Sequence, residues 1–135
     1  MDYEEAARHI LSRYRTWAVV GCSPRPTRAS HDVAAFLQHR GFRIIPVNPA
    51  ADEILGETAY PDLASVPDPI EVVDIFRRSE HAGRHVDEAI AIGAKAVWMQ
   101  LGVIDEGAAI RARKAGLEVV MDRCPKIEYR RLFAG

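Results

Sequence analysis

Thr16-Trp17-Ala18-Val19-Val20-Gly21-Cys22-Ser23-Pro24 is the stretch that decides the fold. Trp17 to Val20 is a short, partly β-branched apolar run, as expected of a strand buried on both faces. It stops at Gly21, where the chain must turn sharply, and Ser23 and Pro24 keep the next backbone tight. A helix is expected to begin near Ser30 as its N-cap. In a doubly wound α/β sheet this first turn is where backbone N–H groups and a helix N-terminus face an anionic ligand. The stretch therefore reads as the phosphate loop of a nucleotide-cofactor site. A structural turn that holds no ligand is the plain alternative.

Outward from this turn, one rhythm repeats: helix, glycine, strand. Val33, Phe36 and Leu37 mark a helix that Gly41 ends, before the strand 42–47. Ala82, Val86, Ala89 and Ile90 mark a second, capped near Ser79 and ended by Gly93, before the strand 96–100. Asp105 and Glu106 suit the start of a third, which Gly116 ends before the strand 117–121. Glycine supplies the left-handed residue that closes a helix without steric cost. Ile70 to Phe76 is a further strand, residues 2–14 form an amphipathic helix, and Lys126 to Leu132 closes the chain as a short one. The stretch 48–69, punctuated by prolines, has room only for a short helix around Asp62 to Ser65. Strands alternating with helices imply parallel pairing and right-handed crossovers. The expected fold is α/β: a three-layer Rossmann-like domain over residues 1–135, its five-stranded parallel sheet in the order 3-2-1-4-5, with helices on both faces. In that order the first and fourth strands flank the ligand crevice.

The 135 residues are 48% apolar and 27% charged with a formal net charge of −1, which suits an ordinary globular chain and argues against non-specific nucleic-acid binding. Two cysteines, Cys22 and Cys124, are too few for a disulfide framework and fit a reducing compartment. The acidic Met1-Asp2-Tyr3-Glu4-Glu5 start is unlike a targeting peptide, and no apolar run approaches the ~20 residues of a membrane span. A cytoplasmic location is expected.

Several motifs fall short. A dinucleotide fingerprint reads G-x-G-x-x-G, and here Ser23 and Pro26 replace the second and third glycines. An NAD site also expects an acidic residue after the second strand, where this chain has Asn48-Pro49. Gly21-Cys22-Ser23 comes close to a nucleophile elbow, but Arg25 takes the place of its last glycine. Ser30-His31-Asp32 are adjacent at a helix start and point apart, so they do not form a triad. His81 and His85 have the spacing of paired zinc ligands but lack the adjoining Glu, Ala82 standing there; solvent-facing histidines are the plainer account.

Gly21-Cys22-Ser23, Ile45-Pro46-Val47-Asn48-Pro49, Val73-Asp74-Ile75-Phe76-Arg77, Trp98-Met99-Gln100-Leu101-Gly102 and Met121-Asp122-Arg123-Cys124-Pro125 occur in this order. Together they resemble the small CoA-binding proteins, which are similar to the CoA-binding domain of the succinyl-CoA synthetase α subunit. The resemblance runs from about Thr16 to Leu132 and implies a site for coenzyme A at the carboxyl ends of the strands. Gly21, Cys22 and Ser23 would approach the pyrophosphate, with Arg28 and Ser30 close by. Asn48 and Pro49 would border the adenosine, and Phe76 and Arg77 its other wall. Gln100, Leu101 and Gly102 would line the path of the pantetheine arm. A lysine often follows the Asn-Pro position in such proteins; here it is Ala50, so Arg77, Arg78 or Arg28 would have to meet the 3′-phosphate.

The function expected is binding, delivery or sensing of CoA or an acyl-CoA, without catalytic or metal-binding residues. The alternatives are a small NAD(P)-dependent oxidoreductase and a CoA-binding subunit of a larger acyl-CoA ligase assembly. In the synthetase, the resemblance implies, a phosphorylated histidine lies in a second domain, for which a chain ending at Gly135 leaves no room. The expected partner is a small molecule, with neither nucleic acid nor membrane; a homodimer or another protein partner stays open. Cys22 and Cys124 both fall at the ligand edge, one strand apart in the expected order. Either both are small buried residues, or one of them, Cys124 in preference, forms a mixed disulfide with CoA, a helix N-terminus favouring the Cys22 thiolate.

Overall fold

Alternation along the first strand sorts the core into two layers. A computed structural model of the chain describes residues 3–133. In it β1 (Thr16–Val20) directs Trp17 and Val19 to one face and Ala18 and Val20 to the other, all four of them buried. Before it lies α1 (Tyr3–Arg13); Asp2, expected within this helix, lies outside the described residues. After it come α2 (Ala29–His39) and β2 (Arg43–Val47). A hairpin of β3 (Glu53–Ile54) and β4 (Glu57–Thr58) then precedes a 3₁₀ turn at Leu63–Ser65 and β5 (Val72–Ile75). The chain continues through α3 (Ser79–Ala91), β6 (Ala96–Met99), α4 (Glu106–Lys114), β7 (Glu118–Val120) and α5 (Pro125–Phe133).

β2, β1, β5, β6 and β7 form one sheet in that order, every pair parallel. α1, α2 and α5 cover one face, and α3, α4 and the 3₁₀ turn the other. The two faces are filled differently. Beneath α3 and α4 the side chains are small, Ala82, Ala89, Ala108, Ala109 and Ala112 among them. The opposite face is aromatic: Trp17 and Trp98 stack at a tilt with ring centroids 5.6 Å apart, and Phe42 meets Trp17 edge-on. Each indole donates a hydrogen bond to a backbone carbonyl, Trp17 to Tyr14 at 3.1 Å and Trp98 to Arg123 at 2.9 Å, so neither buries an unpaired N–H.

The strand order corrects the expected 3-2-1-4-5. Counting only the five sheet strands, the order is 2-1-3-4-5: β5 lies beside β1, and β2 is the edge. Pro46 supplies the reason. Its carbonyl accepts from the Tyr60 N–H at 3.0 Å on the outer side of β2, and the N–H that proline lacks would face the same side. A full strand cannot pair there, so β5 takes the free edge of β1. The switch of direction, and with it the crevice, therefore falls between β1 and β5 rather than between the first and fourth strands.

The helix ends divide between expectation and correction. Gly41, Gly93 and Gly116 all follow helices with positive φ, as read. Asp105 caps α4, accepting from the Ala108 N–H at 3.0 Å, and Asp62 caps the 3₁₀ turn. Ser30 is not the N-cap of α2. That position is Arg28, and Ser30 sits buried inside the first turn, accepting from the Ser23 N–H at 2.9 Å. The β3–β4 hairpin was not expected; Leu55 and Gly56, both with positive φ, make its two-residue turn. No helix among the described residues is long and apolar enough to cross a membrane.

Candidate functional site

Gly21 lies where three strands meet. Its N–H donates to the Val47 carbonyl at 3.0 Å, tying the end of β1 to that of β2, while the Phe76 N–H donates to the Val20 carbonyl at 2.9 Å from the other side. Its φ is +83°, and a Cβ built on it would overlap the Phe76 carbonyl oxygen and press on the Arg77 side chain. Only glycine fits this backbone.

Two hollows open on either side of Gly21 and Phe76, which line both. The smaller, about 240 Å³, lies at the N-terminus of α2 and is lined by Ser23, Arg28 and Ser30. No side chain caps that helix end, so its first amides and the Arg28 guanidinium make an electropositive wall. The larger, about 530 Å³, lies over the ends of β1, β2 and β5; Asn48, Pro49 and Arg77 line it, as does the loop from Pro61 to Leu63. Eight of the twelve expected binding residues therefore line one or both hollows.

Cys22 is placed differently. Its side chain is fully buried in the aromatic layer, and only its carbonyl serves the site, accepting from the Asn48 side-chain amide at 2.9 Å. Burial pushes its thiol up to about 12, with the neighbouring Asp74 carboxyl acting in the same direction, the reverse of the lowered value expected near a helix N-terminus. Cys124 is also buried, and two strands, not one, separate β1 from β7. Gln100, Leu101 and Gly102 stand at the end of β6, with β5 between them and β1, and line neither hollow. Leu101 is 59% exposed, while Gln100 is buried with its side-chain carbonyl unpaired.

The sequence reading missed the far wall of the larger hollow, made by Arg84, His85 and Glu88 of α3. Its signal was the i, i+4 pair of histidines. His81 is exposed as expected, but His85 is buried, and its Nδ1 bonds Glu88 Oε1 at 2.7 Å. No group of three metal-ligating side chains exists among the described residues. The Ser-His-Asp run is likewise dispersed. His31 bonds the Ser23 carbonyl at 3.0 Å, and Asp32 accepts from Lys126 Nζ at 2.8 Å.

The glycine turn, the uncapped helix start and the adjoining polar hollow all lie at the carboxyl edge of a parallel α/β sheet, the edge where ligands bind in folds of this class. The chain belongs to the CoA binding domain family, whose profile matches residues 15–130. It is 40% identical over 122 residues to the uncharacterized protein YneT of Bacillus subtilis (strain 168), covering 90% of each chain. It is similar to a solved hypothetical protein from Pyrococcus horikoshii OT3, with a TM-score of 0.91 and 41% identity over 96% of this chain and 91% of that one. It is also 31% identical over 109 residues to acetate–CoA ligase [ADP-forming] II of Archaeoglobus fulgidus, 78% of this chain but only 16% of that enzyme.

Proposed function

We propose that this chain is a single cytoplasmic domain that binds coenzyme A or an acyl-CoA and carries out no chemistry of its own. The observation that carries this reading is the pair of hollows sharing Gly21 and Phe76. Pyrophosphate at the α2 N-terminus would meet free amides and Arg28, and the glycine turn leaves room for it to approach the backbone. The adenosine end would extend into the larger hollow, between Asn48-Pro49 and Phe76-Arg77. Gln100, Leu101 and Gly102 would border the pantetheine arm on its way past β5 and β6. Likeness to a segment of an acetate–CoA ligase supports a CoA-type ligand.

The oxidoreductase alternative fares worse on the same geometry. An NAD ribose calls for a free carboxylate at the end of the second strand. Asn48 stands there, and both ends of its side chain are engaged, Nδ2 with the Cys22 carbonyl and Oδ1 with the Ala50 N–H at 2.8 Å.

Thermal unfolding with added ligand tests the reading. A ligand that binds only the folded state stabilises it by about 2.7 kcal/mol at a hundredfold excess over its dissociation constant. CoA is expected to raise the melting temperature clearly and NAD at equal concentration hardly at all. Equal shifts with the two would defeat the proposal.

A further inference from the structure

The larger hollow holds one group whose chemistry the CoA reading leaves unused. His85 lines it, is 8% exposed, and has Nε2 closed off with no hydrogen-bond partner. Its other nitrogen is engaged by Glu88 at 2.7 Å, which fixes the neutral ring as the Nδ1–H tautomer and leaves a lone pair on Nε2. A carboxylate behind an imidazole also stabilises the ring once Nε2 is protonated. On the same wall are Arg77 and Arg84, neither with an ion-pair partner among the described residues.

We propose that His85, backed by Glu88 and flanked by Arg77 and Arg84, is a phosphomonoester subsite that takes up one proton as it fills, and so selects the 3′-phosphorylated form of the ligand. The inference rests on the CoA reading and deepens it. Arg77 and Arg84 supply the fixed positive charge that Ala50, in place of a lysine, does not. Nε2 is closed off in the empty hollow, so filling must shift the ring to uncover it. The proton then comes from solvent and settles on Nε2, which turns an unpaired acceptor into a charge-assisted donor toward a phosphate oxygen.

The surrounding charges fit this order of events. Burial lowers the imidazole below its ordinary value, and Arg84 and Arg77 push the same way against Glu88, so the ring is neutral near pH 7. A dianion placed between those arginines reverses their influence. The other carboxylate of the hollow, Asp62, is engaged in capping the 3₁₀ turn through the Ser65 N–H and hydroxyl. On α4, packed against α3, Arg111 is paired with Asp87, and Asp105 caps its own helix.

Calorimetric titrations with CoA and dephospho-CoA, in buffers of different ionisation heat at about pH 8, provide the test; phosphate monoesters are already dianionic there because their second pKa is about 6. CoA is expected to bind about tenfold more tightly than dephospho-CoA, the scale of one charge-assisted hydrogen bond, with net proton uptake for CoA alone. His85→Asn should abolish both the uptake and most of the preference, weakening CoA binding more than dephospho-CoA binding. If that variant does not fold, Arg84→Gln, altered at an exposed position, should lower the preference. Equal affinity for the two ligands, or preference without proton uptake, overturns the subsite while the CoA reading stands. Failure of both ligands to bind defeats the CoA reading and the subsite with it.

Discussion

The Asn48 side-chain amide donates a 2.9 Å hydrogen bond to the Cys22 carbonyl, and this contact joins the loop after β2 to the turn after β1. The same side chain accepts from the Ala50 N–H, and the Asn48 N–H donates to the Tyr60 carbonyl at 2.9 Å. One residue thus holds three segments around the larger hollow.

Asn48→Asp keeps the shape and the acceptor but removes the donor, setting a carboxylate against a carbonyl. A cost of about 1–3 kcal/mol is expected from the partner left unsatisfied, together with weaker CoA binding. Urea unfolding and a CoA titration measure the two effects; an unchanged affinity would place the ligand away from this loop.

Gly21→Ala tests the turn itself. The new Cβ would be strained at φ +83° and would overlap the Phe76 carbonyl, so β1 and β5 must shift apart at their ends. We expect a loss of about 1–3 kcal/mol in stability and of CoA binding, with circular dichroism still showing the α/β fold. Gly41→Ala makes the control, since it has a similar φ of +90° but open space around the added carbon and no place in the site.

Asp74 offers a pH experiment. It is fully buried between Val19 and Trp98 in the sheet, with neither carboxyl oxygen hydrogen-bonded, and burial pushes its carboxyl well above the ordinary 3.8. The folded protein therefore keeps a proton that the unfolded chain has already lost. Stability contributed at this position is greatest at low pH, falls as pH rises past the unfolded value, and levels off only above the folded one. Asp74→Asn is expected to gain on the wild type in urea unfolding at about pH 8 relative to about pH 5. A difference between the two proteins that does not change with pH would show that the carboxyl ionises alike in both states.

The cysteines should be inert in the folded state. Cys22 is buried with its thiol pushed up to about 12, and Cys124 is buried in the same apolar layer. Oxidised CoA is expected to leave the intact mass unchanged under native conditions and to react in urea. A native adduct lost in Cys124→Ser would restore the mixed disulfide.

Five strands, their parallel pairing and most helix ends were legible because apolar runs, capping aspartates and the glycines at 41, 93 and 116 act locally. Strand order depends on which edge a returning strand finds, and the same alternation is compatible with two orders. Pro46 carried the missing information, since a strand lacking an N–H on one side belongs at an edge. The residues around Gly21 and Asn48 were legible through motif likeness. His85 was not, because a histidine on an amphipathic helix looks the same in sequence whether it faces solvent or turns inward beside a carboxylate partner.

The tilted pair of Trp17 and Trp98 has an optical consequence. These are the only two tryptophans in the chain, and both are buried in the layer under α1, α2 and α5. Their emission therefore reports on that layer: it shifts toward the red when the aromatic face opens to water, and it changes little when a ligand fills the two hollows, since neither tryptophan lines either of them. Intrinsic fluorescence will follow unfolding in this protein with little interference from binding, so the two equilibria can be read separately in one sample.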